Sequence, residues 1–188
     1  MTTSEKTSQR DILARQLAEV FRADGYEGAS MARLSEATGL LRGSLYHHFP
    51  KGKDDMAKAA MDALGAEVER LMFAPLRGEG KPREKLGQWA AGVEEIYVGG
   101  KKKCIFGSMM LSGGATRFQP ELKQTFSDLI TALVAVLIEA GISQKEAQYR
   151  AQSAIERIQG ALIVANALDD CSGFHRLIEE LPDTLLTP

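Results

Sequence analysis

The chain has 188 residues, 44% hydrophobic and 26% charged, and its 23 basic and 25 acidic side chains leave a net charge of −2. That length holds a substantial core and fits a head of roughly 50 residues followed by a larger domain. The charge balance excludes a chain that is basic over its whole surface. Two cysteines exclude a disulfide scaffold, and no apolar run reaches the roughly 18 residues of a membrane-spanning helix. The polar start MTTSEKTSQRD lacks the apolar stretch of a signal peptide, so a cytoplasmic protein with no membrane partner is expected.

Apolar residues recur at helical spacing and alternating strand patterns do not occur, so the predicted fold is all-α. Ser8 and Asp11 have capping-box spacing and open a first helix. Its inner face carries Leu13, Leu17, Val20 and Phe21, and its outer face Arg10, Arg15, Glu19 and Arg22. DGYEGA at 24–29 breaks it. Ser30 then caps a short helix over 31–37. Gly39 suits a left-handed turn before a third helix over 41–48, which Phe49-Pro50 stops. A fourth helix is predicted from Asp54 to about Phe73, then a loop over 74–82 and a helix over 83–98. GGKKK at 99–103 is a polar break, and 104–111 reads as a short apolar helix. Pro120 suits the first turn of a long helix that ends at Gly141. Ser143 and Glu146 open the next helix, about 144–168, and a last amphipathic helix spans 173–181 before Pro182.

The order of the first elements is long helix, short helix, glycine turn, short helix, which is a helix-turn-helix. The third helix offers Arg42, Gly43, Ser44, Tyr46 and His47 near its start. A glycine and short side chains let a helix approach a groove floor, and an arginine contacts guanine bidentately. Ser30, with the amides that follow it, and Arg33 suit phosphate. Lys53 suits a second phosphate. Leu34, Ala37, Leu40, Leu45 and Phe49 read as the small core that sets the angle between the helices. His47 and His48 do not read as a metal pair, because adjacent helix residues point in different directions.

The stretch GYEGASMARLSEATGLLRGSLYHHFPKGKDDMA, 25–57, resembles the DNA-binding head of the TetR/AcrR family of bacterial repressors. Gly25-Tyr26, the Ser30 cap, Ala37-x-Gly39-Leu40 and Gly43-Ser44-Leu45-Tyr46-His47-x-Phe49 through Lys53 carry the likeness. Leu41 stands where the family usually has a capping serine or threonine, and a leucine there suits a thymine methyl or a sugar. Gly52 is an extra residue before Lys53, a trait shared with the LmrA/YxaF-like branch. The resemblance implies a DNA-binding domain over 1–53, an effector-binding and dimerising domain over 54–188, double-stranded operator DNA as partner and no cofactor. It implies a homodimer, for which the wide apolar faces of the helices at 120–140 and 144–168 are suited.

Trp89, Val93, Tyr97, Phe106, Met109, Met110, Phe126 and Leu129 are the candidate lining of an effector site, and an equally good reading makes them plain core. That set holds no acid or base, so an apolar or amphipathic effector is favoured. No di-iron Glu-x-x-His pair, P-loop, HExxH, GxSxG or CxxC occurs, so no catalysis is expected. The expected function is a ligand-responsive repressor. A regulator without an effector and an activator both stay open, and Cys104 and Cys171 read as ordinary thiols. Residues 1–53 hold 8 basic and 6 acidic side chains, a small positive head on an acidic body.

Overall fold

Ser8 opens the described chain, which in this computed structural model covers residues 8–187. Its hydroxyl accepts from the Asp11 amide and the Asp11 carboxylate accepts from the Ser8 amide, so α1 (Gln9–Gly28) starts on a full capping box. Gly25, at φ 67° and ψ −172°, kinks α1 near its end. Ser30 caps α2 (Met31–Thr38), which closes on left-handed Gly39. Leu41 precedes α3 (Arg42–His48) without a side-chain cap, and α4 spans Lys53–Asp62.

The predicted helix over 54–73 does not run through. It stops at Asp62 and resumes as α5 (Gly65–Val68), widens into a π-turn at Glu69–Phe73 and ends in α6 (Ala74–Arg77), so part of the expected loop is helix. Then come α7 (Pro82–Ile96), α8 (Ile105–Leu111), α9 (Ala115–Glu139), α10 (Gln144–Leu168) and α11 (Ser172–Leu186). Pro120 lies inside α9 and the kink falls at Phe118, two residues earlier. Pro182 does not end α11. Leu181, Pro182 and Leu185 are all buried, so the apolar stripe on both sides holds the helix together across the lost hydrogen bond. Among the described residues no strand forms.

The chain divides into two packed units. The first joins residues up to Gly65 with Ile105–Arg117, and the second joins Ala66–Cys104 with the chain from Phe118 on. The first packed unit therefore extends past the expected boundary after residue 53, because α1 packs on α4 and on α8 as well as on α2. Its core is Leu13, Leu17, Phe21, Leu34, Leu45, Phe49 and Met56. Ala37, expected in that core, is exposed, and Leu40 is half-buried. In the second unit α7 packs on the π-turn, α6 and α11, and α11 on α10. Gly92 lies against the Leu71 carbonyl so closely that a Cβ there would stand 2.1 Å from its oxygen.

α7 ends in a turn of three successive left-handed residues, Val98 (φ 50°), Gly99 and Gly100. A β-branched side chain costs about 1–2 kcal/mol in that region. Val98 is half-exposed and returns little by burial. Val98→Asn is therefore expected to raise stability by about 0.5–1 kcal/mol in denaturant unfolding, since asparagine tolerates the same backbone.

Candidate DNA-reading head and effector site

Of the seven residues of α3, Leu45 is fully buried, His48 is half-buried, and Arg42, Gly43, Ser44, Tyr46 and His47 are exposed. Leu41, just before it, is 82% exposed. A helix this short has few hydrogen bonds of its own, so its direction is set by packing. Leu45 and Phe49 supply that packing, together with Leu34 of α2, all at 0% exposure. Thr38 ties the turn by donating its hydroxyl to the Leu34 carbonyl at 2.8 Å. Nothing stands within 4 Å of the place a Cβ would take on Gly43, so the backbone there is open to a close approach.

Arg10 locks the far end of α3. Its Nε donates to the His48 carbonyl at 3.3 Å, its guanidinium pairs with Asp55 at 2.8 Å, and it lies 4.9 Å from the centre of the Phe49 ring. The sequence placed Arg10 on the outer face of α1 and gave no sign of this role. Gly52 explains itself by its neighbour. It is left-handed at φ 72°, and a Cβ would come 3.2 Å from the Tyr46 ring. The extra residue thus turns the chain into α4 beneath Tyr46, which stays partly exposed beside Arg42, 5.8 Å away.

Ser30 is exposed, and its hydroxyl accepts from the Arg33 amide at 3.3 Å. Arg33 pairs with Asp24 at 2.8 Å. Lys53 is half-buried, 4.7 Å from the centre of the Tyr26 ring, and its ammonium donates to the Glu27 carbonyl at 3.5 Å. Burial lowers its pKa from the ordinary lysine value. Tyr26 donates its hydroxyl to Asp54, and Arg117 pairs with that carboxylate at 3.0 Å while lying 5.2 Å from the same ring.

A serine clasp joins α8 to the kink of α1. The Tyr26 amide donates to Ser112 Oγ at 2.7 Å, and the Glu27 amide to the Ser112 carbonyl at 3.0 Å. Ser108 donates its hydroxyl to the Arg22 carbonyl at 2.8 Å. The Tyr26–Ser112 and Arg22–Ser108 contacts link positions 86 apart in sequence, and no local pattern announces them.

The candidate effector residues fall in both units. Trp89, Val93 and Tyr97 of α7 and Phe126 and Leu129 of α9 belong to the larger unit, while Phe106, Met109 and Met110 of α8 belong to the head. Trp89, Val93 and Met109 are at 0% exposure, Tyr97 and Leu129 are buried, and Phe106 and Phe126 are half-buried. Met110 is 44% exposed and stands out of the core. Trp89 Nε1 is buried with no hydrogen-bond acceptor among the described residues. A donor left so costs roughly 1–3 kcal/mol.

Residues 14–60 match the family described as "Bacterial regulatory proteins, tetR family", and residues 82–180 match "Transcriptional regulator LmrA/YxaF-like, C-terminal domain". The chain belongs to the TetR family of transcriptional regulators, with an LmrA/YxaF-like C-terminal domain. It is similar to the HTH-type transcriptional regulator YxaF of Bacillus subtilis, at 23% identity with 96% of each chain covered. The repressor AcnR of Corynebacterium efficiens is 40% identical over 63 residues, 33% of this chain and 34% of that one. A TetR regulator from Legionella pneumophila has the same fold, with a TM-score of 0.78 at 20% identity, covering 97% of this chain and 99% of that one. The TetR-family regulator CifR, solved with operator DNA, has a TM-score of 0.73 at 18% identity, covering 96% and 97%. This TetR-family protein is thus a DNA-binding regulator and not an enzyme. Among its described residues no helix is long and apolar enough to cross a membrane.

Two outcomes test the head of this regulator. A Cβ on Gly25 would stand 2.1 Å from Ser112 Oγ and 2.8 Å from the Ser108 carbonyl at a left-handed φ. Gly25→Ala is therefore expected to cost about 2–3 kcal/mol in urea unfolding. Burial, then the hydrogen bond to Asp54, raises the Tyr26 pKa from 10.0 to about 12. Between those values the unfolded chain releases a proton that the folded chain keeps, so stability falls as pH rises through that window and is fully present below it. Tyr26→Phe should remove the phenol titration near 12 from the alkaline absorbance curve and flatten that fall.

Proposed function

We propose that the chain is a cytoplasmic, homodimeric repressor that reads an operator with α3 of each protomer and releases it when a small apolar or amphipathic molecule binds. The observation that carries this is the pattern of α3, a short helix held by Leu45 with its other early residues turned outward. In this reading Arg42 contacts guanine, and Ser44 and His47 meet base edges or phosphate. Gly43 lets the backbone approach, and Leu41 meets a thymine methyl or a sugar. Ser30 with the α2 amides, Arg33 and the Tyr46 hydroxyl hold phosphates. Lys53 adds a phosphate contact once it turns out from the Tyr26 ring.

The dimer forms through the outer face of α10. Gly160, Ile163, Val164, Ala167 and Leu168 are exposed along one stripe, with Ile163 61% and Leu168 69% exposed. On α9 the comparable exposed aliphatic is Ile138, and its other large apolar residues turn inward or are half-buried, so α10 carries more of the contact than α9. Two copies place their reading helices about 34 Å apart, one turn of DNA.

Control runs through α4 and α8. The chain enters α8 from Cys104 and leaves it toward Phe118, both in the larger unit, while Ser108, Ser112 and Arg117 grip the head. A ligand that favours another position of α8 pulls on the kink at Gly25 and on Asp54, at the start of α4. How far it shifts the head depends on its differential affinity for the two states.

Selection of bound DNA from a random pool should return an inverted repeat. On that operator Arg42→Ala should cost about 1–3 kcal/mol and lose discrimination at one base pair of each half-site. A pool with no repeated half-site would sink the dimeric reading. An equal loss on every sequence would move Arg42 to a phosphate.

A further inference from the structure

We infer that the indole N–H of Trp89 is the polar anchor of the effector site, and that the effector is an uncharged, mainly apolar molecule carrying a hydrogen-bond acceptor such as a carbonyl or ether oxygen. This rests on the effector-responsive reading above. Trp89 is the single tryptophan of the chain and is at 0% exposure. Its ring carbons match their apolar surroundings, but Nε1 carries a proton that no acceptor among the described residues takes. Buried donors in folded proteins are nearly always paired, so an unpaired one calls for an acceptor that the protein itself does not supply, a water or a ligand oxygen.

The surroundings fix the class of that acceptor. Along α7, Leu86 and Val93 flank Trp89 one turn away on either side, both at 0% exposure. α7 packs on the π-turn, where Leu71, Met72 and Phe73 are buried. One turn along from Trp89, Gly92 lies against the Leu71 backbone, so this stretch of α7 is the part packed on the π-turn. The π-turn is widened from α geometry, and such turns recur at functional sites. Among the described residues of the larger unit, the largely buried charged side chains Lys85 and Arg150 are already paired with Glu139 and Glu146. A charged ligand group would be desolvated there without an unpaired counter-ion, which is costly. A ligand offering only donors would leave the indole unpaired. An apolar body with one neutral acceptor satisfies both conditions.

The test uses the full-length protein labelled with 15N, in which the indole gives one resonance. The probes are acetophenone and ethylbenzene, nearly the same shape with and without a carbonyl. Acetophenone should move the indole proton downfield and bind about tenfold tighter than ethylbenzene. In Trp89→Phe, which keeps a ring and removes the donor, that preference should shrink to about twofold or less. Equal affinity of the two probes, an unmoved indole resonance, no binding of either, or a preference retained in Trp89→Phe would each overturn the assignment. If the amide spectrum shows that Trp89→Phe is misfolded, the wild-type indole shift and the probe pair decide. Operator binding is followed in the same titrations. An indole shift without operator release keeps the anchor and sinks the effector reading, and release without an indole shift does the reverse.

Discussion

The head depends on one backbone angle. Gly25 takes φ 67° at the end of α1, and the space its missing Cβ leaves is occupied by Ser112 Oγ and the Ser108 carbonyl. Only glycine adopts that conformation and also allows that approach. The kink turns the next amide, that of Tyr26, onto Ser112 and brings the Tyr26 hydroxyl to Asp54. Lys53 and Arg117 both lie within cation–π range of its ring. One residue thus brings the end of α1, the start of α4 and the C-terminal end of α8 together.

That arrangement gives α8 its place in the head despite its position in the chain. A segment from the middle of the sequence, entered from and left toward the larger unit, packs on α1 as closely as α4 does. Its grip is made of hydroxyls and backbone groups at Ser108 and Ser112, and Arg117 at the start of α9 adds an ion pair to Asp54. Net, such hydrogen bonds contribute about 1 kcal/mol each, so the clasp is firm without being fixed. In the proposed reading α8 couples effector to operator, and a coupling element needs that balance, because it must hold in one state and yield in the other.

Much of this was legible in the sequence where the signal is local. Ser8, Ser30 and Ser143 cap the helices they were expected to cap, and Gly39 is the left-handed stop. Caps act within one turn, so spacing reveals them. The fold class followed from the apolar period, and the short helix α3 from its order in the motif. What stayed hidden depends on distance. The break after Asp62 has only Gly65 as a local mark, and the π-turn has none; the π-turn and α6 lie where they pack on α7. Pro182 misleads because burial of its neighbours outweighs a local preference. The grouping of the candidate effector residues was the least legible, since a stripe of aromatics and methionines looks the same whether it lines a site or fills a core. The one feature that bears on the choice, the Trp89 N–H without an acceptor among the described residues, is visible only in coordinates.

The charges of the head bear on how it finds DNA. Its small positive excess looks like a basic patch in the sequence, but much of it is spent internally. Arg10 pairs with Asp55, Arg33 with Asp24, Arg117 with Asp54, and Lys53 is held by Tyr26 and the Glu27 carbonyl. Arg42 has no ion-pair partner among the described residues and lies only beside the Tyr46 ring. A surface of this kind gains little from counterion release along arbitrary DNA. In the proposed reading its affinity must therefore come from fit: open backbone at Gly43, a short Ser44, and one arginine free to meet a base. Fit demands a fixed helix direction, and α3 is too short to supply it alone. The buried Leu45 and Phe49 and the Arg10 bond to the end of α3 do so instead, which makes specificity a property of the core beneath the helix as much as of the residues on it.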